Sequence, residues 1–191
     1  LLWDGKNWNA ITNRRHGGLV IEDCEIDGQG HAGANGIGYH SYALVRSWVH
    51  NIGNDGLKAN GNVRIHRSWI GPLDPKEGAH SDLLQVLDND KGPIIITDTT
   101  LQGHLVPDNP HYDAWKGNIN VNCLRLNAKK GTVGDVIVDG NHFMGAGMQV
   151  HFDPRPANTY RFVNNVMDTD FIYKHFYPTD TPANLVWKNN T

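Results

Sequence analysis

The chain has 191 residues, 39% of them apolar, and a net charge of −3. Gly and Asn each occur 21 times and Asp 17 times, whereas Glu occurs three times. This excess of turn formers over good helix formers argues against a helical bundle. No Lys/Arg run exceeds two residues and no apolar stretch could span a bilayer, so neither a nucleic-acid nor a membrane partner is expected. One strand-based domain over residues 1–191 is predicted, as a processed chain or a piece of a longer one.

A short template recurs seven times along the chain. Two apolar residues stand two positions apart, a small polar residue follows three positions later, and another apolar position comes two after that. The copies begin at Leu19, Tyr42, Val63, Ile94, Val136, Tyr160 and Leu185. Their small polar position holds Cys24, Ser47, Ser68, Thr99, Asn141, Asn165 and Asn190. The alternation is typical of half-buried strands, and the polar position suits a tight bend.

A second strand signal falls in each interval between the copies. These signals start at Gly36, Gly56, Leu83, Asn118, Gly147 and Phe171. Intervals of 21 to 25 residues fit one turn of a β-solenoid, and the longer ones leave room for loops within 71–93 and 102–135. We expect both loops to form the rim of a groove.

The stacked column of Ser, Thr and Asn resembles that of the right-handed parallel β-helix in the pectate-lyase-like superfamily. The resemblance covers Leu19 to Thr191, with residues 1–18 as a partial coil or cap. It implies an all-β fold of about seven coils. It leaves function open, because that superfamily includes lyases, hydrolases, epimerases, esterases and phage tailspikes. A β-sandwich or an up-and-down barrel would explain the alternation but not seven aligned copies.

Two cysteines allow one disulfide. Cys24 and Cys123 would lie three coils apart, about 14 Å, and bridged Cα atoms stand within about 7 Å. The sequence therefore predicts two free, buried thiols.

The second strands predict a polar groove for a linear polymer. Outward residues of successive coils lie about 4.8 Å apart in a line. One predicted column holds Gly38, Lys58, Gln85, Asn120, Gln149 and Tyr173, and the next holds His40, Asn60, Leu87, Asn122, His151 and His175. The predicted substrate-binding residues are His40, Asn60, Gln85, Asn120, Asn122, Gln149 and His175, with Trp115 from the second loop.

Two segments beside this groove align on neighbouring coils. Asp55-Gly56-Leu57-Lys58 and His80-Ser81-Asp82-Leu83-Leu84-Gln85 place Asp55 level with Asp82, and Lys58 beside Gln85. The pair resembles modules of bacterial and phage β-helix proteins that are usually assigned to polysaccharide degradation. The alternative is that both aspartates cap the turns that start their strands.

The resemblance implies cleavage of an acidic polysaccharide by β-elimination, which needs neutralisation of the uronate, a base for its C5 proton and an acid for the leaving oxygen. Lys58 is the predicted base, as Arg or Lys bases are typical of the superfamily's lyases. His80 or His151 is the predicted acid. Asp55 and Asp82 could hold Ca²⁺. The predicted catalytic set is therefore Lys58, His80, Asp82 and His151.

Two other functions stay open. The first is hydrolysis by paired carboxylates, because Asn54-Asp55 and Asp82 look partly similar to the polygalacturonase pairs, although that family's Gly-His-Gly and Arg-Ile-Lys elements are missing. The second is a non-catalytic carbohydrate-binding or tail-fibre β-helix, in which Trp48 and Trp69 offer an aromatic ledge. All three functions, elimination, hydrolysis and carbohydrate binding, imply an extracellular or virion-associated protein that is a monomer or a homotrimer.

Overall fold

The computed structural model describes residues 8–13, 18–31, 33–38, 41–75, 79–86, 92–103, 120–127, 134–153, 159–169, 171, 174–178 and 184–191. This part of the chain is all-β and contains no helix. None of its elements is thus a helix long and apolar enough to cross a membrane. Its strands form three parallel sheets, which we call sheets 1, 2 and 3.

The chain visits the three sheets in a fixed order. Sheet 1 contains β1 (Asn9–Thr12), β4 (Asn35–Gly38), β7 (Leu57–Ala59), β10 (His80–Val86), β13 (Asn120–Asn127), β16 (Met148–Asp153) and β19 (Lys174–Pro178). Sheet 2 contains β2 (Leu19–Glu22), β5 (Tyr42–Val45), β8 (Val63–His66), β11 (Ile94–Thr97), β14 (Val136–Asp139), β17 (Tyr160–Val163) and β20 (Leu185–Lys188). Sheet 3 contains β3 (Glu25–Asp27), β6 (Trp48–His50), β9 (Trp69–Ile70), β12 (Thr100–Gln102), β15 (His142–Met144) and β18 (Val166–Met167). This order is consistent with a β-solenoid, whereas a sandwich or an up-and-down barrel needs antiparallel neighbours.

The register of sheet 2 confirms the seven-fold template. Its strands pair through Leu19, Tyr42, Val63, Ile94, Val136, Tyr160 and Leu185, which are the first positions of the seven copies. The alternating positions face inward, and the apolar residues of all three sheets form one buried cluster. At one point in this cluster Phe152 of sheet 1 packs edge-on against Tyr160 of sheet 2, with ring centroids 4.4 Å apart.

The small polar column forms a hydrogen-bonded ladder between sheets 2 and 3. At each level the backbone N–H of one ladder residue donates to the side-chain oxygen of the next. The six donor-to-acceptor distances, from Cys24 N to Ser47 Oγ through to Asn165 N to Asn190 Oδ1, lie between 2.9 and 3.3 Å. The ladder therefore satisfies a row of backbone donors that the bend would otherwise leave buried and unpaired.

A left-handed backbone conformation precedes every ladder position. The φ angles lie between 44° and 67° at Asp23, Arg46, Arg67, Asp98, Gly140, Asn164 and Asn189. Side chains other than Gly enter this region at a cost, which is smaller for Asn and Asp. The ladder thus continues through a row of sharp bends that the sequence pattern alone did not reveal.

Both cysteines are free, as predicted, but only one of them is buried. Cys123 lies in the core, where its thiol is 3.4 Å from the Leu101 carbonyl oxygen. Cys24 is exposed, which corrects the expectation that both thiols are covered. It occupies the first level of the ladder, and β2 and β3 on either side of it are the outermost described strands of their sheets.

Asn141→Ala should lower the free energy of unfolding by about 2 to 5 kcal/mol. The substitution removes the acceptor of the Thr99 N–H and the donor to the Ile96 carbonyl, leaving two buried backbone groups unpaired. Urea unfolding followed by circular dichroism measures the change. Asn62→Ala, at an exposed position, is the control and should change stability by less than about 0.5 kcal/mol. An equal, small effect of both substitutions would contradict a stabilising ladder.

Candidate functional site

A row of polar side chains crosses four consecutive strands of sheet 1. Lys58 pairs in register with Gln85, Gln85 with Arg125, and Arg125 with His151. We call these four residues the polar row. All four are half-buried, with 13% of the Lys58, 18% of the Arg125 and 16% of the His151 side chain exposed. Each lies between two inward apolar neighbours on its own strand, as in Leu124-Arg125-Leu126, which holds the polar residue on the outer face.

A buried acidic pair lies beside the polar row. Asp55 and Asp82 each stand three residues before a member of the row, and Asn122 continues the same column. Asp82 and Asn122 have no exposed surface, and Asp55 is 4% exposed. Ionised carboxylates are rarely buried to this degree unless other groups compensate them.

Hydrogen bonds join the acidic pair to the polar row. Lys58 Nζ lies 2.7 Å from Asp55 Oδ2 and donates to Gln85 Oε1 at 3.0 Å. Gln85 Nε2 donates in turn to Asp82 Oδ2 at 3.1 Å, and Asn122 Nδ2 donates to Asp82 Oδ1 at 2.6 Å. The Asp82 backbone N–H donates to Asp55 Oδ1 at 2.8 Å. Each of the four carboxylate oxygens therefore accepts a hydrogen bond from an N–H donor of the protein.

Charges at longer range surround the acidic pair. Arg125 Nη1 lies 4.0 Å from Asp82 Oδ2, and His80 Nε2 lies 3.9 Å from Asp82 Oδ1. Burial, together with the nearby Asp55, raises the pKa of Asp82 to about 6. Burial and the positive charge of Arg125 lower the pKa of His151, against the opposing effect of Asp153. The His151 imidazole is therefore mainly neutral at pH 7.

The acidic pair does not fit a calcium site. Ca²⁺ needs six to eight oxygen ligands with lone pairs directed at the ion. Here N–H groups and the Lys58 ammonium occupy the carboxylate oxygens. Within the described ranges, no group of three His, Cys, Asp or Glu side chains is arranged to hold a metal.

The structure confirms part of the predicted alignment in sheet 1 and corrects the rest. Lys58 does lie beside Gln85, and Asp55 and Asp82 do occupy equivalent positions. However, Gln85 pairs with Arg125, and not with Asn120 as expected, because β13 extends to Asn127 and its second half carries this part of the register. Asn120 pairs with His80 instead.

Two predicted substrate-binding residues, Asn122 and Gln149, therefore lie elsewhere than expected. Asn122 is fully buried against Asp82 rather than facing a groove. Gln149 is also fully buried, and its amide donates to the Asp168 carbonyl oxygen at 2.8 Å. Asn60 is half-buried just beyond β7 and is not level with Asn122.

The remaining predicted residues divide into three groups. His80 begins β10 with 36% of its side chain exposed, beside the acidic pair, and His151 belongs to the polar row. His40 and Trp115 lie outside the described residues. His175 and Asn120 belong to described strands, but only their backbone positions are described.

Arg125 is the site residue that the sequence reasoning missed. Its signal is local: Leu124-Arg125-Leu126 repeats the apolar-polar-apolar order of Leu57-Lys58-Ala59 and Leu84-Gln85-Val86. Its Nε is buried and has no hydrogen-bond partner among the described residues, and the same holds for Asn122 Oδ1. A buried guanidinium donor without a partner among the described residues is uncommon in folded proteins.

No protein-family model, no curated protein and no solved structure matches the chain. What the chain does must therefore be inferred from its own residues.

Asp82→Asn should flatten the pH dependence of stability. The pKa of Asp82 is about 6 when folded, against 3.8 for an ordinary Asp, so between these values the folded state keeps a proton that the unfolded state releases. The stability linked to Asp82 is thus complete below its unfolded pKa and is lost as the pH rises through its folded pKa. Relative to the native chain, the variant should gain in Tm as the pH rises from about 4 to about 7.

Calorimetry at a series of pH values measures this difference. Asp135→Asn, at an exposed position, is the matched control and should leave the shape of the curve unchanged. Parallel curves for the native chain and Asp82→Asn would show that Asp82 titrates normally.

Proposed function

We propose that the chain is a right-handed parallel β-helix of about seven coils, similar to the pectate-lyase-like superfamily, that cleaves an acidic polysaccharide by β-elimination on the outer face of sheet 1. The Ser, Thr and Asn ladder and the repeated order of three parallel sheets support the fold. Because such a polysaccharide is an extracellular polymer, we expect the protein to be extracellular or virion-associated.

The position of Arg125 is the observation that supports the proposed β-elimination. It is a half-buried, permanent cation in the middle of the polar row, between Gln85 and His151. Because 18% of the Arg125 side chain is exposed, a uronate carboxylate would approach the guanidinium from the outer face of sheet 1. A guanidinium binds a planar carboxylate in a two-pronged geometry.

The polar row also offers a base next to this cation. When a uronate carboxylate binds to Arg125, negative charge that develops on it is stabilised, so the C5 proton becomes acidic. The neutral His151 imidazole accepts this proton as the C5–H bond breaks. The electron pair forms the C4–C5 double bond, the C4–O4 bond breaks, and the leaving oxygen takes a proton from His80. Solvent then restores the protonation of both histidines.

The sequence and the geometry of the site favour different roles for Lys58. Lys58 as the base stays a prediction, but a base needs a free lone pair, and the Lys58 ammonium donates to Asp55 and Gln85. The geometry favours Lys58 as a second cation for the carboxylate of a neighbouring sugar. The acidic pair then has a positioning role, because it fixes Lys58 and Gln85 in the row.

Hydrolysis by paired carboxylates is less well supported. Asp82 is fully buried and Asp55 nearly so, and both are engaged by protein donors, so neither reaches a glycosidic oxygen in this conformation. A general acid must come within hydrogen-bond distance of the leaving oxygen.

Arg125→Ala and His151→Asn should each reduce the initial rate of β-elimination by about a hundredfold or more. The assay is a screen of uronic-acid polysaccharides in which ultraviolet absorbance reports the new C4–C5 double bond. With His151 as the base, the acidic limb of the rate profile of the native chain should lie below pH 6.5, because the pKa of His151 is lowered from that value. His151→Asn should lose this acidic limb.

The controls separate the roles of the row. Arg161→Ala removes an exposed arginine from sheet 2 and should leave the rate unchanged. A chelator should also leave it unchanged, because the acidic pair does not fit Ca²⁺. If Lys58→Ala abolishes elimination while His151→Asn does not, Lys58 is the base. If no uronic-acid polysaccharide gains absorbance, the proposed activity is wrong.

A further inference from the structure

A second solvent-exposed row lies on sheet 3, away from the polar row. Trp48 of β6 pairs in register with Trp69 of β9, as the sequence predicts, and Trp69 pairs with Thr100 of β12. Trp48 is 41% and Trp69 is 45% exposed, and their ring centroids are 6.3 Å apart. We call this pair of indoles the tryptophan ledge.

Hydrogen bonds hold both indoles in place. Trp48 Nε1 donates to the Gly71 carbonyl oxygen at 2.8 Å, and Trp69 Nε1 donates to Gln102 Oε1 at 3.1 Å. The His50 ring stacks on Trp48 with centroids 3.7 Å apart. The rings are therefore preorganised, and a ligand that stacks on them loses little side-chain entropy.

Charged side chains flank the ledge in an ordered way. The sequence Arg-Ser-Trp occurs twice, as Arg46-Ser47-Trp48 and Arg67-Ser68-Trp69, so an arginine stands two residues before each indole. Arg46 is held by Glu22 and Asp23, each at 2.8 Å. Arg67 has no ion-pair partner among the described residues. It lines an open groove of about 670 Å³ together with both indoles. The carboxylates of Asp23, Glu25 and Asp98 line the same groove, and each lies within 4 Å of a side-chain nitrogen of another residue, Arg46, His50 and His66 respectively.

We infer that the tryptophan ledge binds an acidic glycan chain, independently of any cleavage on sheet 1. Sugar rings would stack on the two indoles, and a carboxylate or sulfate of the chain would bind Arg67. The indoles are tilted by 43° to each other, which suits successive sugars that are turned relative to one another. The ligand would then run across the strands of sheet 3, from Trp48 towards Thr100.

Fluorine NMR of the chain labelled with fluorotryptophan tests this inference at the residues themselves. Oligosaccharides prepared from pectate, alginate and hyaluronan serve as probes, each titrated into the Arg125→Ala chain so that cleavage does not consume them. We expect the signals of Trp48 and Trp69 to shift with at least one probe. The signal of Trp8, an indole that is 81% exposed and lies outside the ledge, is the matched control and should not shift.

Substitutions then separate stacking from charge. Trp48→Ala with Trp69→Ala should weaken binding of that probe by about tenfold or more, whereas Trp48→Phe should retain most of it. Arg67→Ala should weaken binding of the acidic probe but not of its methyl-esterified form. The inference is overturned if none of the three probes shifts the ledge signals, or if Trp8 shifts equally. If the signals of the tryptophan ledge shift but the native chain cleaves no uronic-acid polysaccharide, the inference about the ledge is supported and the proposed elimination is wrong.

Discussion

The fold depends on one constraint: each residue of a strand lies directly over its equivalent in the neighbouring strand, about 4.8 Å away. A side chain must therefore be compatible with a copy of its own column above and below it. Apolar columns meet this condition by packing. A buried polar column meets it only if each member is both donor and acceptor, as Asn141 is between Thr99 and Asn165. The ladder is the solution that lets a sharp bend repeat through the whole described stack.

The same constraint makes the acidic pair on sheet 1 costly. Asp55 and Asp82 bring two carboxylates to adjacent levels without solvent, and each then depends on protein donors. Lys58 compensates Asp55 directly. Burial and the charge of the neighbouring Asp55 raise the pKa of Asp82 to about 6, because the Asn122 amide and the more distant Arg125 and His80 oppose this rise only in part. Apolar residues at these positions would stack at no such cost. An arrangement that is unfavourable for stability and still ordered points to a function.

The sequence predicts the register of a sheet only where a recurring residue pattern marks equivalent positions on its strands. In sheet 2 the template has no internal gap, so Leu19 to Leu185 align correctly from the period-two pattern and the following polar residue. Sheet 1 lacks such a marker, and its strands reach eight residues in β13, so several registers satisfy the alternation. The inward apolar pairs decide between them: Leu84 packs level with Leu124, and this brings Arg125, not Asn120, beside Gln85. The burial of Asn122 and Gln149 follows from partners distant in sequence, Asp82 and Asp168, which no local pattern reveals.

The bends connect the ladder to the tryptophan ledge. At Arg46 and Arg67 the backbone is left-handed, so the arginine side chain faces solvent, the following Ser turns inward to the ladder, and the Trp after it faces outward again. Ser68 illustrates the division: its hydroxyl accepts the Ser47 N–H and donates to the His66 carbonyl oxygen, while its two neighbours stay available to a ligand. Three consecutive residues thus supply one buried structural contact and two exposed groups. Because the ladder fixes the bend at successive levels, the two indoles and their arginines are held in register by the fold itself, and the described strands and bends alone present the proposed binding surface.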